Sequence, residues 1–176
     1  MATSRRTLRA ASVALLALVL TFLGAGLAYA GGKHFTDPND SRGIDIRAVG
    51  VRYAHWLRVQ ATYDGHLKVK QTYVIWIDTN ARNRGPEFYF GNIPWSEVGS
   101  LQRVSGFRDR TRTLTKCEKV DGGVNEQTRT IGWAVAGSCL GNPKRVRVAV
   151  QLVRPNGTDS DWAPGLRRLY PWVHRY

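Results

Sequence analysis

Asp37, Asn39, Asp40 and Asp45 crowd four oxygen-bearing side chains into nine residues, and Asp78 with Asn80 offers two more at what reads as the end of a strand. Calcium takes about six to eight oxygens in flexible geometry, so this is a set that a weak extracellular calcium site would use. The competing reading is that Asp and Asn here accept hydrogen bonds from their own backbone and cap turns. No Glu closes the stretch as it would close an EF-hand loop. No motif requires a cofactor, and calcium is the ion these residues suit.

Six tryptophans, Trp56, Trp76, Trp95, Trp133, Trp162 and Trp172, form a second chemical resource. An exposed indole stacks on the apolar face of a sugar, whereas a buried one fills a core. Trp76 and Trp133 lie inside apolar runs and are expected in the core. Trp56 falls opposite the buried face of its strand, and Trp95 and Trp162 sit in polar, Pro-containing stretches that read as loops. These three are the candidate ligand-binding rings.

Signals for catalysis are weak. His34, His55, His66 and His174 include no pair at zinc-motif spacing, and nothing selects a glycosidase pair from Glu87, Glu97 and the aspartates. Nucleophile-elbow, phosphate-loop and Cys-His signatures are absent, which favours a non-catalytic protein. Cys117 and Cys139 are the two cysteines. They are too few for a four-thiolate zinc site, and in an oxidising compartment they are expected to form a disulfide.

The elements that must position these groups read as strands. Ile44–Tyr53 carries two short alternating runs, and Leu57, Val59, Ala61 and Tyr63 alternate with polar residues. Asp64-Gly65 then reads as a hairpin turn into an alternating run that ends at Asp78. Val74 and Trp76 fill the second face of that run, so its latter half is expected to be covered on both sides. Further strands are expected at 87–91, 101–104, 112–117, 127–135, 144–153 and 172–173. Turn residues separate nearly all of them, among them Asp121-Gly122-Gly123 and Pro155-Asn156-Gly157. Eight or nine short strands without a convincing helix predict an all-β fold, a single antiparallel β-sandwich of jelly-roll type.

Arg5, Arg6 and Arg9 precede an apolar run, Ala10 to Ala28, closed by Ala28-Tyr29-Ala30. That is the layout of a signal peptide cleaved near Ala30-Gly31, with an uncleaved membrane anchor as its rival. The Arg pair suits twin-arginine export as well as the general secretory route. The expected organisation is a signal peptide (1–30), a polar lead-in loop (31–43) and a sandwich domain (44–176). The leader holds three of the 26 basic residues and no acid, so the remaining 23 basic and 13 acidic residues give +10. Such a field attracts anions, although no window is basic enough for a nucleic-acid arm.

Several fragments carry a resemblance: Asp37-Pro38-Asn39-Asp40, Ile44-Asp45-Ile46, Ile77-Asp78-Thr79-Asn80, Gly85-Pro86-Glu87-Phe88 and Ser138-Cys139-Leu140-Gly141-Asn142-Pro143. By pattern and order they resemble small secreted actinobacterial proteins, themselves similar to the sandwich domains of family 9 carbohydrate-binding modules and DOMON-type domains. The resemblance implies a sandwich that binds sugar, haem or calcium, or docks beside an enzyme. It maps no particular tryptophan onto a sugar clamp. The expectation is therefore a secreted, monomeric, non-catalytic module for a glycan or an anionic cell-envelope polymer, with no specific nucleic acid and no membrane contact beyond the leader. The alternatives are a small extracellular hydrolase acting on a polysaccharide, or a protein-interaction domain without a small ligand.

Overall fold

The structure, a computed structural model, describes residues 32–68, 70–83, 85–93, 99–109 and 111–176. The expected leader therefore lies outside the described residues, as does Trp95. Two antiparallel sheets enclose the core as a β-sandwich. The first is ordered β1 (Gly32–Thr36), β2 (Asp45–Tyr53), β3 (Trp56–Asp64), β9 (Thr130–Ala136), β8 (Val120–Asn125). The second runs β11 (Asp159–Ala163), β10 (Arg145–Val153), β4 (Thr72–Asp78), β5 (Phe88–Asn92), β6 (Ser100–Arg103), β7 (Thr113–Leu114), with β12 (Val173–His174) also paired to β10. Among the described residues no helix is long and apolar enough to cross a membrane.

β4 explains most of this arrangement. Tyr73, Ile75 and Ile77 face the core between the sheets, and Val74 and Trp76 face the other way, yet all five are buried. A strand with no polar face must be central and covered twice. β4 accordingly lies between β10 and β5, and an outer cluster of Trp76, Trp162, Val74, Val104 and Ala149 covers its second face. Trp76 meets Tyr89 and Phe107 edge-on at 4.9 and 5.3 Å, stacks on Trp162 at 6.1 Å, and donates its Nε1 hydrogen to Gln151 Oε1 at 2.9 Å. The expected two-sided burial of this strand is met, as are the core positions of Trp76 and Trp133.

Four local expectations need correction. Asp64-Gly65 does turn, with Gly65 at φ +89°, but it carries the chain from β3 to the other sheet and closes no hairpin, because β4 needs the doubly covered position. Residues 32–36 of the lead-in are not loop: Lys33-His34-Phe35 is too polar to signal a strand, but residues 32–36 pair with Ala48–Arg52 as an edge. Asp121-Gly122-Gly123 lies within edge strand β8, held by its ladder to β9. Trp162 lies in β11, where Asp161 and Trp162 pair with Leu152 and Gln151.

A disulfide joins Cys117, beyond β7, to Cys139 in the 3-10 turn Gly137–Leu140 that follows β9, and so staples one sheet to the other. The sequence separation is 22 residues. In the chain-entropy description, closing such a loop destabilises the unfolded chain by about 3 kcal/mol. The Cys117→Ala/Cys139→Ala variant is expected to lose about that much in urea denaturation, and a variant as stable as the parent would show that the bridge restrains nothing.

Candidate functional site

The oxygen-rich stretch is divided by the fold into groups with different chemistry. Asp45, at the start of β2, organises the turn before it: Oδ1 accepts the backbone N–H of Asp40 and Ser41 at 3.2 and 2.9 Å, and Oδ2 pairs with Arg47 at 2.9 Å. This is the turn-capping reading, and it removes Asp45 from any ligand set. Asp78 is fully buried, but Arg147 Nε and a terminal guanidinium nitrogen hold its Oδ2 at 2.8 and 2.7 Å, while Oδ1 accepts Asn80 N–H at 2.9 Å. Asp78 faces Arg147 near the start of β10, whereas Asp161 faces Leu152 near its end, so Asp78 does not join the 37–45 stretch. Asn39 is exposed in that stretch.

What does assemble is a cluster of Asp37, Asp40 and Asp161, with one oxygen from each within 4.8 Å of the others. Asp161 comes from β11 and has no counterpart among the residues expected from sequence. Burying Trp162 against Trp76 turns its strand neighbours to the opposite face, where Ala163 enters the main core and Asp161 points inward. Its Oδ2 accepts Ile46 N–H at 2.6 Å, and its Oδ1 accepts Trp162 N–H at 2.8 Å. Asp37, just beyond β1, has its Oδ1 reached by the Tyr170 hydroxyl at 3.5 Å, while Tyr170 stacks on Phe35 at 4.5 Å. Asp37 Oδ2 is buried without a partner.

Burial, reinforced by the charges of Asp161, Asp40 and Asp45 and opposed by the Tyr170 hydrogen bond, pushes Asp37 up to about 7. Burial likewise pushes Asp161 up to about 6, with the Ile46 and Trp162 N–H groups pulling the other way and Asp45 and Asp40 adding to the rise. Both native values exceed the ordinary 3.8, so between the ordinary value and the raised ones the folded chain binds more protons than the unfolded chain. Stability from these groups is then full in acid and is lost as pH rises through 6 and 7. In EGTA, the melting temperature is expected to fall from pH 5 to pH 8, and Asp37→Asn should flatten the slope. The Asp78 pair provides the opposite case. Arg147→Ala is expected to cost about 3 kcal/mol by stranding a buried carboxylate, and adding Asp78→Asn should recover part of that loss in urea melts.

On another face, an open groove of about 1040 Å³ runs beside the disulfide, with Arg103, Lys116 and Lys119 against one acid, Glu118. All three cations are exposed, as is Leu114, which also lines the groove, and Arg103 lies over the Phe88 ring at 5.1 Å. Trp56 stays half-buried on β3, next in alternation to the exposed Arg58 and Gln60, so it keeps the outward side expected of it. Trp162 does not: it is 7 % exposed and packed on Trp76, which leaves no open face for a sugar. Trp172, which sequence did not single out, is half-buried with Arg145 and Arg147 at 4.7 and 4.6 Å from its ring. Its signal was the basic, alternating Lys144–Arg147 stretch that β12 joins. Comparison with protein-family models and with curated proteins found no match.

Proposed function

We propose that this chain is an exported β-sandwich module that binds an anionic polymer of the cell envelope or an acidic glycan, using the groove beside the disulfide as its contact surface. The observation that carries the reading is the groove itself: three exposed cations face one acid along an open channel, at the end of a sheet where a polymer can lie without threading. The +10 left after the leader, 23 basic against 13 acidic residues, adds long-range attraction of the same sign. The disulfide fixes the groove wall, since Cys117 and Cys139 both line it. The bridge also suits an oxidising compartment and agrees with the leader-like N-terminus.

Charge alone selects poorly among polyanions and is screened within about 8 Å at physiological salt. Any preference for a particular sugar therefore falls to an aromatic face, and Trp56 is the expected ring still placed to provide one. Binding to immobilised wall teichoic acid is expected to weaken as salt rises, and to drop in Arg103→Ala/Lys116→Ala/Lys119→Ala far more than in a variant that removes three cations elsewhere. A component that survives high salt should lose about 1–3 kcal/mol in Trp56→Ala, by analogy with bases stacked on aromatic platforms. Equal loss from any three cations would reject the groove, and no binding at low salt would reject the polymer.

A further inference from the structure

The acidic cluster supports an inference that does not depend on the polymer reading. Among the described residues, the buried side-chain atoms without a partner are Tyr53 Oη, Trp133 Nε1, Trp162 Nε1 and Asp37 Oδ2. The first three belong to neutral groups. The fourth belongs to a carboxylate that is 6 % exposed and sits within 4.8 Å of two others. No ion pair reaches Asp37, Asp40 or Asp161 among the described residues, because the nearby Arg47 is engaged by Asp45 and Asp64. A buried acceptor with nothing to accept from, beside two further anions, is an arrangement that a cation completes.

We propose that Asp37, Asp40 and Asp161 form a calcium site where the turn after β1 meets β11, with water completing the shell. The donors are hard carboxylate oxygens with no imidazole or thiolate among them, which excludes the softer transition metals as natural occupants. They come from a turn and a distant strand in an irregular arrangement, which calcium tolerates and magnesium, with its strict octahedron, does not. Each residue has a separate part. Asp161 is aimed by two backbone N–H groups, Asp37 supplies the oxygen that otherwise lacks a partner, and exposed Asp40 faces the side from which an ion arrives. Asp45 is a positioning residue, because it holds the backbone of Asp40 and touches the ion only through that turn.

The test titrates the purified full-length protein with calcium chloride by calorimetry and compares melting curves in calcium and in EGTA. The expected affinity is on the order of 10⁻⁴–10⁻³ M, the range of extracellular modules, with a melting temperature several degrees higher in calcium because the ion binds only the folded chain. Terbium gives a direct readout, since Tyr170 lies close enough to sensitise its emission and calcium should displace it. Asp40→Asn alters an exposed side chain, so it should fold normally and lose both the heat and the shift. Asp37→Asn removes the buried charge, so in EGTA at pH 8 it should melt above the parent, yet gain nothing from calcium. Glu118→Gln, beside the disulfide, should respond like the parent. Absence of both heat and shift in the parent overturns the site, and so does an undiminished calcium response in Asp40→Asn and Asp37→Asn.

Discussion

The burial of both faces of β4 is the constraint on which the other features depend. One face of a strand can be covered by the opposite sheet, but the second needs a source of apolar cover from the same chain. Here Trp162 and Phe107 provide it by closing around Trp76. Because side chains alternate along β11, drawing Trp162 outward sends Asp161 inward, and a carboxylate arrives at the sandwich interior as a consequence of hydrophobic packing. That carboxylate then bonds the Ile46 amide, which links β11 of one sheet to β2 of the other.

Two kinds of buried acid result, and they differ in what neutralises them. Asp78 has a guanidinium on the neighbouring strand, with Trp172 flanking that same Arg147, so its charge is answered within the fold. Asp37 and Asp161 meet hydrogen-bond donors but, among the described residues, no ion-pair partner, in a chain whose basic residues outnumber its acids twofold. Among the described residues cations are plentiful, yet nearby Arg47 is paired with Asp45 and Asp64 and not with this cluster. The surface charge and the acidic cluster are therefore separate features of opposite sign.

The strands legible in sequence were β2 to β7 with β9, β10 and β12; most carry their own apolar signal, alternating in β2 and β3 and filling both faces in β4. The strands that were not, β1, β8 and β11, lie at sheet edges and contain Lys33-His34, Asp121-Gly122-Gly123 or Asp159-Ser160-Asp161. Their extended state comes from the partner's ladder, which composition does not record. The same limit applies to the acidic cluster. Asp37 and Asp40 were visible as neighbours, but Asp161 is brought to them by pairing β11 with β10, and Asp45 and Asp78, equally acidic in sequence, are engaged by nearby backbone amides or by Arg147. The Asp64-Gly65 turn was legible as a turn but not in its direction, since that depends on where β4 can find cover.

The first strand and the segment that leads into the last one complete each other. Phe35 stacks on Tyr170, the Lys33 ammonium donates to the Trp172 carbonyl, and Asp37 meets the Tyr170 hydroxyl, across 133 to 139 residues of intervening chain. Contacts of such long range form late, because the loop they close is nearly the whole domain. Residues 33–37 and 170–172 therefore depend on each other for their packing, so a change at one of these segments is felt at the other.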